Sequence, residues 1–84
     1  MNDDKELVFS IYSRPDCHLC DDMINALQEW RQRYNFKIKV INIDTNSELT
    51  KRYAARIPLL AIADKEICNY YLDEKLLVSY LENK

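Results

Sequence analysis

The hydrophobic pattern of this 84-residue chain changes period several times, and this alternation restricts the folds that the chain can adopt. Residues 7–13 (LVFSIYS) are rich in aromatic and β-branched types, which is typical of a buried strand, and the breaker RPD follows. From Cys17 to about Tyr34 the apolar residues instead recur every three or four positions. This spacing predicts a helix with Asp16 as its N-cap.

The alternation continues through the rest of the chain. The further predicted elements are a strand over 36–43, a helix over 49–55, the two strands of a hairpin over 59–63 and 66–70, and a last helix after residue 73. Ser47 and Asp73 are placed to cap the two helices, and Pro58 ends the first of them. The last helix is predicted to bury a stripe of apolar side chains. These are Leu76, Leu77, Tyr80 and Leu81.

The resulting order is β-α-β-α-β-β-α, which predicts an α/β fold. A strand, a crossover helix and a second strand imply a parallel, right-handed pair, whereas the last two strands can pair antiparallel. The economical architecture is a four-stranded mixed sheet with three helices that cover both of its faces. Because the chain has only 84 residues, we predict one domain over 1–84, with residues 1–5 as a flexible N-terminus.

Charge and hydropathy exclude several classes of function. The formal net charge is −2, from 12 basic and 14 acidic residues mixed along the chain, so neither a nucleic acid nor a membrane is an expected partner. The start of the chain is polar and acidic, and no apolar run approaches the roughly 18 residues that span a bilayer. We therefore expect a monomeric protein of the cytoplasm.

The chain contains no glycine, which matters wherever the backbone needs a positive φ. Asparagine and aspartate tolerate that conformation better than other residues with a side chain. The predicted candidates for such positions are Asn35, Asn46, Asp64 and Asn69.

The sequence Cys17-His18-Leu19-Cys20 is the main candidate for chemistry. Two cysteines at this spacing can bind a metal, form a structural crosslink or act as a reversible dithiol, and a reducing cytoplasm disfavours a permanent crosslink. A closed zinc site needs four ligands, whereas this chain offers one further cysteine, Cys68, and one histidine. No metal ligand set is therefore assigned.

The predicted position of Cys17 at the start of a helix favours redox chemistry. The free N–H groups and the positive end of the helix dipole stabilise a thiolate, so the pKa of Cys17 is expected to be lowered. Cys20 lies about one turn further on the same face and can resolve a mixed disulfide. Cys68 falls on a predicted strand. It is either a small buried apolar residue or a regulatory thiol, and both interpretations stay open.

Three other residues, two beside this motif and one further along the chain, have both a structural and a functional interpretation. His18 either tunes the pKa of Cys17 or is an exposed bystander, and Arg14 either adds a positive charge or is a solvated loop residue. The Ile57–Pro58 bond lies between a helix and a strand, where a cis form would cost only about 0.5–1 kcal/mol, although trans is the default.

Several segments resemble a known family. These are "IYSRPDCHLCDDM", "INIDTNSELTKRYAARIPLLAI" and "YLDEKLL", and together they cover most of the chain. They are similar to the small bacterial glutaredoxin-like proteins, and the whole pattern resembles the thioredoxin fold. The resemblance implies a thiol-disulfide oxidoreductase with Cys17 as nucleophile and Cys20 as resolving thiol.

The same resemblance implies the substrate site and the partners. Pro58 would be cis and lie against the dithiol, and the backbone of Ile57 would pair with an extended substrate. Arg14 would contribute to glutathione binding, and the backbones of Arg56 and Ile57 would supply contacts just before the proline. The implied substrate is a protein or small-molecule disulfide, and the implied electron donor is glutathione or a donor of the thioredoxin-reductase type. Glutathione would be a co-substrate, and no tightly bound cofactor is expected.

Two departures from the family pattern affect these expectations. Glutaredoxins usually have a glycine pair before the last helix, whereas this chain has Cys68-Asn69-Tyr70-Tyr71 there, and His18-Leu19 replaces the common Pro-Tyr between the cysteines. Two alternatives stay open at this point. One is a metal or iron–sulfur module, including a cluster shared between subunits, and the other is an interaction module with incidental redox activity.

Overall fold

The structure is a computed structural model that describes residues 7–63 and 65–82. The helices and strands occur in the predicted order. They are β1 (Leu7–Ser13), α1 (His18–Trp30), β2 (Phe36–Asn42), a 3-10 turn (Ile43–Thr45), α2 (Ser47–Tyr53), β3 (Leu59–Ile62), β4 (Lys65–Asn69) and α3 (Glu74–Glu82). The predicted flexible segment 1–5 lies outside the described residues. Within them, no helix has the length and apolar character needed to cross a membrane.

The four strands form one mixed sheet in the order β2-β1-β3-β4, which confirms the predicted fold class. β1 is parallel to β2, and Ser13 lies opposite Asn42. β3 is antiparallel to both β1 and β4, with Leu59 opposite Tyr12 on one side and Asn69 on the other. The carboxyl ends of β1, β2 and β4 therefore meet the amino end of β3 at one border of the sheet, which we call the Cys17 edge.

Helices pack on both faces of the sheet, as the hydrophobic pattern predicts. α1 and α3 cover one face, where their buried side chains meet Phe9 and Ile11 of β1. The members of this larger core are Phe9, Ile11, Met23, Leu27, Phe36, Leu60, Ile67, Leu77 and Leu81. α2 covers the other face through Tyr53, which packs with Ile43 and Leu59.

Aromatic contacts join the layers. The rings of Phe9 and Phe36 meet edge to face with their centroids 5.1 Å apart, and Tyr12 stacks on Tyr53 at 4.3 Å. Since Phe9 and Tyr12 belong to the same strand but point to opposite faces, β1 contributes to both cores. This strand is consequently the central element of the fold.

The boundaries of two helices differ from the prediction. α1 is capped by Cys17 rather than Asp16, because Asp16 has a φ of 60° and its side chain does not accept a capping hydrogen bond. The helix ends at Trp30, and the chain continues to residue 34 in a tighter turn in which the Arg33 N–H donates to the Trp30 carbonyl at 3.0 Å. At the start of α2, the cap is the side chain of Asn46 rather than Ser47.

The positive-φ prediction is wrong for the described asparagines. The residues with positive φ are Asp16 (60°), Ala63 (52°) and Tyr70 (69°), whereas Asn46 has a φ of −150°. Asp64 lies outside the described residues. Tertiary position therefore decides these backbone conformations more strongly than the intrinsic preference of the side chain.

The predicted inward stripe of α3 is correct for Leu77 and Leu81, which are buried, and wrong for Leu76, which is 43% exposed. We expect Leu77→Ala to lower the free energy of unfolding by about 2–5 kcal/mol, because it removes fully buried methyl groups and leaves a cavity. Leu76→Ala is the matched control, with an expected change of about 0.5 kcal/mol or less. Urea unfolding of both variants measures the difference, and equal losses would contradict this assignment of the helix face.

Candidate functional site

Cys17 and Cys20 are joined by a disulfide at the junction between the β1–α1 loop and α1. Their Cα atoms are 5.2 Å apart. Cys17 is half-buried, whereas Cys20, on the side of α1 that faces the core, is only 1% exposed. A molecule arriving from solvent therefore reaches the sulfur of Cys17 first.

The sulfur of Cys17 performs the capping role at the start of α1. The backbone of Cys17 is extended (φ −112°, ψ 104°), and its Sγ accepts a hydrogen bond from the Cys20 N–H at 3.2 Å. The Asp21 N–H donates to the Cys17 carbonyl at 3.0 Å, which begins the helical hydrogen bonding. Since a helix N-terminus favours negative charge, we expect this position to favour a thiolate on Cys17 in the reduced protein.

Arg14 lies in the loop before Cys17, where its guanidinium is held by Asp44. The Nη2 atom donates to Asp44 Oδ1 at 2.7 Å, and Nε donates to the same oxygen at 3.3 Å. This hydrogen bond, together with the negative charge of Asp44, raises the pKa of Arg14 above its ordinary value. The guanidinium that the family resemblance assigns to glutathione binding is therefore already paired with a carboxylate of this chain.

Asp44 was not anticipated from the sequence. The Asn42 side chain accepts a hydrogen bond from the Asp44 N–H at 2.9 Å, and this contact turns the chain out of β2 into the 3-10 turn. Because Ser13 and Asn42 are opposite each other, the residues that follow them come together at the Cys17 edge. A local signal exists in the Asx-turn sequence Asn42-Ile43-Asp44, but the partner of Asp44 depends on the register of the sheet.

Pro58 directly precedes β3 at the same edge of the sheet. The Ile57–Pro58 peptide bond is cis, and the Pro58 side chain is fully buried. Ile57 is half-buried and packs against the smaller core. The register between Tyr12 and Leu59 places Pro58 near the end of β1, from which the loop leads to Cys17.

Tyr70 fastens the segment from Ala55 to Pro58. Its N–H donates to the Pro58 carbonyl at 2.8 Å, and its hydroxyl donates to the Ala55 carbonyl. The backbone of Tyr70 adopts a left-handed conformation (φ 69°) that glycine would adopt more easily. Where glutaredoxins are expected to have a glycine pair, this chain therefore has a tyrosine whose side chain contacts the segment before β3.

Arg56 and His18 differ in their surroundings. The Arg56 guanidinium forms an ion pair with Glu66 and also lies 6.0 Å from the ring centroid of Tyr53. His18 is the first residue of α1 and is exposed, and its imidazole forms no hydrogen bond or ion pair with residues 7–63 or 65–82. The proposed tuning role of His18 stays a prediction.

Cys68 is a free cysteine on β4, opposite Leu60. Its side chain is half-buried beside the larger core, and its Sγ accepts a hydrogen bond from the Asp73 N–H at 3.4 Å. Burial raises the pKa of the Cys68 thiol. Cys68 therefore differs from Cys17 in both exposure and electrostatic surroundings.

Because of this difference, we expect the reduced protein to react with iodoacetamide at pH 6 first at Cys17. The helix N-terminus favours the Cys17 thiolate, burial shields Cys20, and the raised pKa of Cys68 reduces its thiolate fraction until the pH rises further. Peptide mass spectrometry over time measures the order, with free cysteine as the reference. Labelling of Cys68 first, or a rate at Cys17 no higher than that of free cysteine, would contradict the activated-thiolate assignment.

The described residues contain no group of three or more His, Cys, Asp or Glu side chains arranged to hold a metal ion. Within those residues, the dithiol is thus the chemical centre that the geometry supports.

Comparison with solved structures identifies close structural relatives. A protein from Nitrosomonas europaea, Ne2328, is 38% identical with a TM-score of 0.86, and the alignment covers 98% of this chain and 99% of that one. The protein XcR50 from X. campestris is 28% identical with a TM-score of 0.72, over 90% of this chain and 97% of the other.

A more distant structure shows the fold alone. The germline-specific thioredoxin Deadhead from Drosophila melanogaster is 21% identical with a TM-score of 0.63, over 95% of this chain and 82% of that one. The curated proteins compared with this chain include no match. The family model described as Glutaredoxin-like domain (DUF836) matches residues 9–82. This chain, with its thioredoxin-like fold and its cysteine pair at the start of α1, therefore belongs to the Glutaredoxin-like domain family.

Proposed function

We propose that the protein is a thiol-disulfide oxidoreductase in which Cys17 is the nucleophile and Cys20 is the resolving thiol. The observation that supports this most directly is the division of roles between the two sulfurs. Cys17 is accessible and accepts the Cys20 N–H at 3.2 Å, whereas Cys20 is 1% exposed. One sulfur is therefore placed to meet a substrate and the other to react only within the protein.

The proposed reaction has two exchange steps. The Cys17 thiolate attacks one sulfur of the substrate disulfide, that S–S bond breaks, and the leaving thiolate takes up a proton. Cys20, as a thiolate, then attacks the Cys17 sulfur, which forms the Cys17–Cys20 disulfide and releases the second substrate thiol. The substrate gains two electrons and the protein dithiol loses two, so a thiol donor must reduce the protein again.

The segment before β3 is the proposed place for an extended substrate. Among the described residues, the backbone N–H and carbonyl of Ile57 form no hydrogen bond, and Pro58 beside it is fully buried. Free backbone groups of this kind can pair with a substrate strand. Tyr70 keeps the segment in place through its contacts with Ala55 and Pro58.

The proposed substrate is a protein or small-molecule disulfide, and the proposed electron donor is glutathione or a reductase of the thioredoxin-reductase type. A monomeric state and a location in the cytoplasm stay predictions from the sequence.

For the alternative metal or cluster module, no ligand group among the described residues provides support. The interaction-module alternative predicts that Cys17→Ser keeps full partner affinity, which the proposed chemistry does not require.

Three serine variants test the division of roles. We expect Cys17→Ser to reduce turnover of a neutral disulfide, bis(2-hydroxyethyl) disulfide, to the uncatalysed rate, because the nucleophile is lost. Cys20→Ser is expected to accumulate the mixed disulfide on Cys17, which intact-mass spectrometry detects as the added half of the substrate.

Cys68→Ser is the matched control, since it removes a thiol outside the proposed reaction, and it should retain turnover. Unchanged turnover in Cys17→Ser, or accumulation of the mixed disulfide on Cys68, would disprove the proposed assignment.

A further inference from the structure

We infer that the charges around the Cys17–Cys20 pair select a positively charged disulfide, one carried by a basic polypeptide segment, and disfavour an anionic disulfide such as oxidised glutathione. This inference rests on the proposed function and specifies its substrate class. Two observations support it: some charged side chains near the dithiol are already paired within the chain, and others form no ion pair with the described residues.

Two arginines of this region are paired with carboxylates, and one of them, Arg14, is the cation that the family resemblance assigns to glutathione. Arg14 directs two donors at Asp44, at 2.7 and 3.3 Å, and Arg56 forms an ion pair with Glu66. An incoming carboxylate would have to displace an intramolecular one from either guanidinium. Such a displacement returns little of the attraction that an unpaired arginine would offer.

The carboxylates closest to the dithiol along the chain are exposed and outside any ion pair with the described residues. Asp16 directly precedes Cys17, and Asp21 follows it by four positions on α1. The Asp21 N–H donates to the Cys17 carbonyl at 3.0 Å, so Asp21 belongs to the helical turn that begins at Cys17. Asp22 has the same spacing from His18 and is also exposed.

Asp16, Asp21 and Asp22 therefore give the start of α1, where Cys17 lies, a negative charge, and we call these three residues the acidic rim. Opposite charges on a substrate raise its local concentration and its rate of association, by about tenfold to a thousandfold in focused clefts. The three carboxylates are exposed to solvent, so the lower end of that range applies. The effect should weaken with salt, because the screening length falls from about 30 Å at 0.01 M to about 8 Å at 0.15 M ionic strength.

The chemistry is the same two-step exchange for every disulfide, so charge can be tested separately from reactivity. The reduced protein is mixed with cystamine, which is cationic, with oxidised glutathione, which is anionic, or with neutral bis(2-hydroxyethyl) disulfide. Each rate of Cys17–Cys20 oxidation is divided by the rate at which dithiothreitol reduces the same disulfide under the same conditions. This division corrects for the different leaving groups.

At low ionic strength we expect the corrected rate to be about tenfold higher for cystamine than for oxidised glutathione, with the neutral disulfide between them. At about 0.5 M salt the three corrected rates should converge. Equal corrected rates at low salt, or a faster reaction with oxidised glutathione, would overturn the inference.

Three variants locate the effect. Asp44→Asn removes the partner of Arg14 and should increase the corrected rate with oxidised glutathione several-fold. Asp21→Asn removes a rim charge without changing Arg14 and should lower the preference for cystamine. Glu29→Gln makes the same charge change at an exposed site near the far end of α1 and should leave the preference unchanged.

A preference that shifts equally in Glu29→Gln and Asp21→Asn would show a general charge effect and overturn the inference. The neutral disulfide distinguishes this failure from failure of the proposed function. If the wild-type protein oxidises with the neutral disulfide but does not discriminate by charge, only the inference fails. If Cys17→Ser consumes all three disulfides as fast as the wild-type protein does, both fail.

Discussion

The central position of β1, between two strands and with helices packed on both faces of the sheet, is the constraint on which the rest of the structure depends. Phe9 and Ile11 are completely buried under α1 and α3, while Tyr12 stacks on Tyr53 of α2 on the opposite face. β2 and β3 pair with its two edges. A strand held in this way determines where its carboxyl end lies, and the loop from that end leads directly to Cys17.

Much of this arrangement could be predicted from the sequence because it depends on local pattern. The period of the apolar residues indicates each helix and strand, and it places Cys17 between β1 and α1. The exact cap could not be predicted, because both Asp16 and Cys17 can accept the first hydrogen bonds. The choice follows from the left-handed turn at Asp16, which is a property of the folded loop.

The contacts that the sequence did not indicate all join distant segments. The pairing of Arg14 with Asp44 requires the parallel register of β1 and β2, and the contacts of Tyr70 with Ala55 and Pro58 require the pairing of β3 with β4. The positive φ of Tyr70 also depends on contacts with distant residues. This backbone conformation costs a residue with a bulky side chain roughly 1–3 kcal/mol, and the two hydrogen bonds of Tyr70 oppose that cost.

The burial of Cys20 has a consequence for the kinetic order of the proposed reaction. Because only Cys17 is accessible, the oxidised substrate and the thiol that regenerates the protein must react at the same sulfur, one after the other. Neither can wait at the site while the other reacts, so no ternary complex forms. Double-reciprocal plots at several fixed donor concentrations would then be parallel lines. An excess of the disulfide substrate would inhibit by occupying the form of the protein that reacts with the donor, and an excess of the donor would inhibit by occupying the form that reacts with the substrate.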